Sequence, residues 1–193
     1  MNNIEKIKEI LANNNDILLI KDLEKHNIHR QYVKKLVDED YLEKVSKGIY
    51  VKKGKSVNEF FILGRKYQKG VFSHNTALYF YNMTDRTPLQ LDLTFPSNVG
   101  VHDDTIKIHY IKNNLLTLGM EDMKLQDGTT IKIYNMERTI CDIVRDRNKI
   151  DPQIFNDALK EYMKKKNKNF LRLYKYAKEF HIENILAQYM EVL

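Results

Sequence analysis

The feature that most constrains the fold of this 193-residue chain is the order of short patterns between residues 17 and 51. Two stretches with helical periodicity lie on either side of a short turn, and two strand-like runs follow at residues 42–45 and 49–51. Ser46, Lys47 and Gly48 separate these runs, and glycine readily adopts the positive φ that a tight hairpin turn requires. Helix, turn, helix and hairpin in this order predict a winged helix-turn-helix.

The second helix of this segment has one apolar and one polar face. Val33, Leu36 and Val37 follow the i, i+3, i+4 spacing of a buried stripe. The polar face is therefore free to lie in a major groove, where the first turn of such a helix usually contacts bases. The side chains of this helix that we predict to contact DNA are Arg30, Gln31, Tyr32, Lys34 and Lys35.

The predicted hairpin carries two cations, Lys44 and Lys47, which we expect to contact backbone phosphates. Small three-helix modules with a hairpin also serve as protein docking units, so a docking role stays open. The local charge favours DNA, because residues 29–55 hold 8 Lys or Arg against 4 Asp or Glu. Such an excess attracts a polyanion whatever its base sequence.

The formal net charge of +6 is concentrated at the two ends of the chain. Residues 56–159 hold 12 basic and 13 acidic residues, whereas residues 160–193 hold 8 and 4. A charged helical face is usually only solvated, but cations interleaved with aromatic rings are also typical of nucleic-acid surfaces. Phe170 and Tyr174 lie four residues apart and are expected to face the core. We predict that phosphates flanking the operator are gripped by Lys164, Lys165, Lys166 and Lys168.

Composition and local motifs exclude several classes of protein. No apolar run reaches the length of about 18 residues that spans a bilayer, and the charged, amphipathic start MNNIEKIKEIL differs from a signal peptide. We therefore expect a cytoplasmic protein. The single cysteine, Cys141, cannot form an intrachain disulfide, and its apolar neighbours predict a core position. The six histidines show no HxH or HxxxH spacing, so we predict no metal site and no cofactor.

A polar segment at residues 52–56 divides the chain into two predicted domains, 1–55 and 56–193. The second domain is expected to begin with a helix, followed by a brief strand and a helix with Ser73 as its N-cap. Alternating strands and apolar-striped helices follow. The strands are predicted at 90–96, 105–111 and 131–133, and the helices at 135–147, 152–165, 169–180 and 183–192. The fold class is therefore α+β, a winged helix-turn-helix followed by a mixed sheet-and-helix domain that ends in helices.

Two groups of polar residues resemble catalytic sites, but each has a simpler structural explanation. Glu137 favours the dipole at a helix N-terminus, and Arg138 and Asp142 are spaced for an i, i+4 ion pair. Ser73 and His74 suggest a nucleophile and a base, yet adjacent side chains at a helix start diverge and no orienting third group is evident.

Asp92 suggests a magnesium ligand of a nuclease. The following predicted strand offers Lys107 and His109 but no second carboxylate, and magnesium chemistry normally needs more than one. The sequence therefore indicates no catalytic residue.

Four ordered segments resemble the AbiEi-type antitoxins of type IV toxin–antitoxin systems, which act in abortive infection and phage defence. The segments are VSKGIY at 45–50, FSHNTAL at 72–78, LDLTFP at 91–96 and, after Gly128, IKIYNMERTICD at 131–142. The ordered set spans most of the chain, and its E-R-T-x-x-D element is the most specific part.

The resemblance implies a bacterial transcription repressor whose winged helix binds double-stranded DNA at its own promoter, at inverted repeats. It also implies that residues 56–193 form an antitoxin domain that counteracts a nucleotidyltransferase-like toxin without a stable complex. No membrane partner and no enzymatic activity are expected. The alternatives are an enzyme that modifies a toxin or a nucleotide, with DNA binding only regulating expression, and a protein docking module.

Overall fold

A computed structural model describes residues 2–191 and shows two compact units. The first unit comprises the residues up to Tyr67 together with Lys124–Ile131, and the second comprises Gln68–Met123 and the residues from Lys132 onward. The sequence placed the domain boundary after residue 55, whereas residues 56–67 pack with the N-terminal unit. The division of function at residue 55 stays a prediction.

The first unit contains the winged helix-turn-helix that the sequence predicts. Its helices are α1 (Asn3–Asn13), α2 (Ile20–Lys25), α3 (Gln31–Asp38) and α4 (Glu59–Lys66), and its strands are β1 (Ile17–Leu19), β2 (Leu42–Ser46) and β3 (Ile49–Lys52). The strands form an antiparallel sheet in the order β1-β3-β2. Ile7, Leu23 and Leu36 are buried in one core that joins the first three helices.

The second unit is built on a five-stranded mixed sheet. Its strands are β4 (Val71–Phe72), β5 (Leu91–Pro96), β6 (Ile106–Ile111), β7 (Met120–Lys124) and β8 (Thr130–Tyr134), in the order β6-β5-β4-β8-β7. β4 pairs antiparallel with β5 and parallel with β8, and β5 pairs parallel with β6. β7 was not predicted, because MEDMK lacks the apolar alternation that marks β6 and β8.

Within the described part of the chain, five α-helices complete the second unit: α5 (His74–Phe80), α6 (Met136–Arg145), α7 (Pro152–Lys164), α8 (Phe170–Glu179) and α9 (Glu183–Met190). α6 is the central helix, and its residues 136–144 are all buried. Ile140, Cys141 and Val144 lie in the core that packs α6 against the helices around it. Pro152 begins α7 behind the N-cap Asp151. The three predicted C-terminal helices are confirmed, except that residue 192, the predicted end of the last one, lies outside the described residues. The α+β fold class is confirmed.

Candidate functional site

The exposed face of α3 is the candidate nucleic-acid interface of the first unit. Val33 and Leu36 are only 2% and 1% exposed, so the apolar stripe anchors the helix. Gln31, Lys34 and Lys35 are exposed on the remaining surface, as their spacing predicts. Tyr32 differs, because it is half-buried and packs against the core of this unit.

Arg30 lies at the N-cap of α3, one residue before the helix begins. Its Nη2 atom is 2.7 Å from Oε1 of Glu24 on α2, and both side chains are more than half exposed. Lys35 lies 3.8 Å from Glu39 in a second exposed pair. Exposed ion pairs contribute little stability, so phosphate or base edges can replace the carboxylates as partners of these cations.

The wing is the β2–β3 hairpin, which turns at Gly48 with φ +77. The pairing register shifts between Lys44 and Ser46, and a bulge of this kind bends and twists a hairpin. Lys44 and Lys47 are both exposed on this hairpin. The structure therefore leaves the predicted phosphate-contacting side chains open to solvent.

In the segment predicted as a second DNA-binding surface, three of the four lysines have a partner within the protein. Lys164 pairs with Glu161 at 2.6 Å, the Lys165 ammonium donates to the Asn82 carbonyl, and the Lys168 ammonium donates to the Lys165 carbonyl. Lys166 is exposed. The expectation that two aromatic residues of α8 face the core is wrong, since Phe170 is 40% and Tyr174 39% exposed. The segment thus combines cations with exposed rings.

The second unit holds a polar cluster of His74, His109, Asp92 and Asp146. Nε2 of His74 lies 3.2 Å from Oδ2 of Asp146, and Nε2 of His109 lies 2.7 Å from Oδ1 of Asp92. The two imidazole rings stack, with centroids 3.6 Å apart and planes 10° apart. The residues come from α5, β6, β5 and the C-cap of α6, so only the tertiary fold brings them together.

Ser73 lies at the predicted N-cap position, but the predicted capping role of its side chain is wrong. The side chain makes no capping bond to α5. Its Oγ instead accepts from the Thr94 hydroxyl at 2.8 Å and lies 3.0 Å from Nδ1 of His74. The Ser73 and His74 side chains therefore meet rather than diverge, because His74 has a positive φ of 46. Asp146 is the third group that the sequence did not reveal, and Ser73 is fully buried.

The electrostatics of this cluster follow from burial and shared hydrogen bonds. Burial lowers the pKa of His74 and outweighs the opposing contact with Asp146. Burial also acts to lower the pKa of His109, but its contacts with Asp146 and Asp92 outweigh that effect and raise it. Contacts with His109 and then His74 hold the pKa of Asp146 well below its usual range. Asp146 is therefore a carboxylate at neutral pH.

One sequence signal pointed to part of this cluster. In the parallel register of β5 and β6, Asp92 pairs with Lys107 and Thr94 with His109. Alternation along both strands places these polar side chains on one face of the sheet. Residues 92–96 of β5 are all buried, so the polar face of this strand indicates that other polar groups pack against it. The strand pattern does not identify Asp146 as one of them.

The E-R-T-x-x-D element is structural, as its spacing suggests. Arg138 forms the predicted ion pair with Asp142. Its guanidinium donates to the Leu115 and Leu118 carbonyls and packs over the Tyr134 ring. This arginine fixes the 115–118 segment against α6 within the second unit.

Glu137 has a wider role than the predicted one at the helix N-terminus. Its carboxylate accepts from the Asn169 backbone N–H at 2.9 Å and from the Tyr162 hydroxyl, and it lies 3.5 Å from Arg172. These bonds join α6 to α7 and to the start of α8. These contacts give Glu137 a structural role in the packing of α6.

Comparisons with known proteins agree with the observed fold and, over residues 5–51, with the resemblance to AbiEi-type antitoxins. Residues 5–51 match the family model described as a transcriptional regulator, AbiEi antitoxin. This match confirms the resemblance to AbiEi-type antitoxins across the winged helix-turn-helix. No curated protein matches the chain in sequence.

A crystal structure of the RV2827C protein from Mycobacterium tuberculosis resembles this chain with a TM-score of 0.60 at 12% identity. The likeness covers 89% of this chain and 69% of that one. At this identity the likeness shows a shared fold alone. None of the helices among residues 2–191 is long and apolar enough to cross a membrane.

Proposed function

We propose that this AbiEi-type chain is a DNA-binding autorepressor and the antitoxin of a type IV toxin–antitoxin system, counteracting a nucleotidyltransferase-like toxin. The observation that carries the DNA-binding part is the division of α3 into two faces. Val33 and Leu36 are locked in the core while Gln31, Lys34 and Lys35 are exposed. A rigid helix with an exposed polar face is what major-groove recognition requires.

In the proposed complex α3 lies in the major groove. Gln31 and Lys35 contact base edges, and Arg30 exchanges Glu24 for DNA. Lys44 and Lys47 on the wing contact phosphates and position the helix without selecting bases. We propose inverted repeats in the chain's own promoter as the binding site, because two copies related by a twofold axis then place two recognition helices on one face of the duplex. We also propose a cytoplasmic location, because the bacterial chromosome that carries the promoter lies there.

We propose that neutralisation resides in residues 56–193 and needs no stable complex with the toxin. The second unit supports a separate role for most of this range, because it begins at Gln68 and has its own apolar core around α6. The full burial of Ser73 favours a non-enzymatic role over an enzyme that modifies a toxin or a nucleotide. Turnover of a nucleotide that is abolished by Asp92→Ala would instead support the enzyme.

A separation-of-function experiment tests both halves of the proposal in the full chain. Arg30→Ala with Gln31→Ala should abolish the footprint on the upstream DNA and derepress the promoter, while cells remain protected from the toxin. Lys149→Ala, which removes a cation that is 81% exposed in the second unit, is the matched control and should leave the footprint intact. An unchanged footprint in the double variant would refute the assignment of α3. Loss of protection in that variant, while it remains folded, would refute the division of labour.

A further inference from the structure

We propose that His74, His109 and Asp146 form a binding site for one divalent first-row transition-metal ion in the second unit. Each residue offers one ligand atom, and the three atoms lie within 4.8 Å of one another. Two imidazoles and one carboxylate form a donor set that suits zinc, cobalt and their neighbours, whereas magnesium and calcium prefer oxygen alone. The proposal goes beyond the DNA-binding and antitoxin roles and does not depend on them.

The spacing of the donor atoms is close to that of a coordination shell. Metal–ligand bonds of about 2.0–2.2 Å place neighbouring ligand atoms roughly 3.0–3.5 Å apart. Oδ2 of Asp146 lies 3.2 Å from Nε2 of His74 and 3.8 Å from Nδ1 of His109. Oδ1 of the same carboxylate faces Lys149 at 3.7 Å. One oxygen of Asp146 therefore serves both imidazoles while the other points to a lysine.

The other nitrogen of each imidazole ring already has a polar partner, as in known metal sites. Metal-bound histidines almost always use their other nitrogen to contact a carboxylate, a carbonyl or water. Nε2 of His109 lies 2.7 Å from the buried carboxylate of Asp92. Nδ1 of His74 lies 3.0 Å from Oγ of Ser73, which Thr94 supports in turn. These contacts leave Nδ1 of His109 and Nε2 of His74 directed at the same oxygen.

Binding requires a small movement of the rings. Two parallel rings 3.6 Å apart cannot both contain one ion in their planes, so at least one imidazole must turn. The side chains of His109 and Asp146 are 13% and 17% exposed, whereas that of His74 is 2% exposed. The ion therefore enters from the His109 side, and His109 is the ring with room to turn.

The test uses the full chain without a polyhistidine tag, titrated with Co²⁺ and with Zn²⁺. We expect visible d–d absorption with Co²⁺ at one ion per chain, competed away by Zn²⁺. We also expect a rise in Tm of about 5–10 °C when free Zn²⁺ reaches a hundredfold excess over its Kd. Mg²⁺ at the same concentration should produce neither effect. A chain that gives no spectrum and no shift, or that responds to Mg²⁺ equally, would overturn the proposal.

Two variants separate a built site from adventitious binding by surface histidines. Asp146→Asn keeps the shape of the side chain but removes the ligand charge, and it should weaken Zn²⁺ binding by at least tenfold while the far-ultraviolet circular dichroism stays native. His102→Gln, which changes an exposed histidine of the same unit, should bind like the wild type. His109→Gln offers a second ligand change should Asp146→Asn fail to fold. Equal loss of binding in His102→Gln, or unchanged binding in a folded ligand variant, would overturn the site.

Discussion

Arg138 and Asp142 form a fully buried ion pair on α6, with Nε of the arginine 3.0 Å from Oδ2 of the aspartate and no exposed surface on either side chain. The guanidinium also packs against the Tyr134 and Phe180 rings, at 3.9 and 4.5 Å from their centroids. A buried charge is tolerated only when it is paired and hydrogen-bonded. The pair therefore holds together the part of the second unit that surrounds α6.

We predict that Asp142→Asn lowers the free energy of unfolding by about 3–5 kcal/mol, because it leaves the Arg138 charge buried without its partner. Urea denaturation followed by circular dichroism measures the change. Glu161→Gln is the control, since it breaks the exposed pair with Lys164, and exposed pairs contribute little. Equal stability of the two variants would contradict the structural role of the buried pair.

Gly119 is predicted to be intolerant of any side chain. Its φ is +74, and an added Cβ would lie 2.5 Å from Cβ of Arg138. Gly119→Ala should therefore destabilise the protein by roughly 2 kcal/mol or more, from backbone strain and from the displaced arginine.

Two other glycines separate the effect of backbone strain from the effect of the contact with Arg138. Gly54 has φ +76 with open space around it, and Gly100 has open space without a positive φ. Measured by urea denaturation, Gly119→Ala should be the least stable variant, Gly54→Ala intermediate and Gly100→Ala close to wild type. A different order would show that the close approach to Arg138 does not limit position 119.

Cys141 is predicted to be unreactive in the folded protein. Its side chain is fully buried in the core around α6, and burial raises the pKa of the thiol, so the reactive thiolate is scarce at neutral pH. A disulfide reagent such as DTNB should label it only as fast as the unit opens, and labelling should accelerate across the urea transition. Rapid, complete labelling without urea would contradict the observed packing.

The basic segment formed by the last residue of α7 and the connection to α8 is predicted to bind phosphates outside the operator. Neutralising Lys164, Lys165, Lys166 and Lys168 together should weaken binding to every DNA sequence and leave base preference unchanged. The salt slope should fall by about 0.9 for each phosphate that the variant no longer neutralises. Operator binding across a salt series measures both effects. Glu161→Gln frees the Lys164 ammonium and should have the opposite effect on affinity. Unchanged affinity and salt slope in the quadruple variant would show that these lysines do not contact DNA and are only solvated.

The winged helix-turn-helix is predictable from the amino-acid sequence because short-range rules build that module. The apolar stripe of α3 and the positive-φ turn at Gly48 need only neighbours within a few residues. The same holds for the Arg138–Asp142 pair, because side chains four residues apart meet on any α-helix.

The polar cluster of the second unit depends instead on long-range packing. His74, His109 and Asp146 lie on different elements, and the pairing of β5 with β6 and the packing of α6 bring them together. Local spacing carries no information about such distant contacts, which is why the histidines showed no ligand pattern. Ser73 illustrates the same limit: its position before a helix predicts a cap, but the positive φ of His74 and the neighbouring Thr94 turn its hydroxyl into the cluster. Periodicity fixes which face of an element is buried, whereas the partner that this face meets is set by the packing of the whole unit.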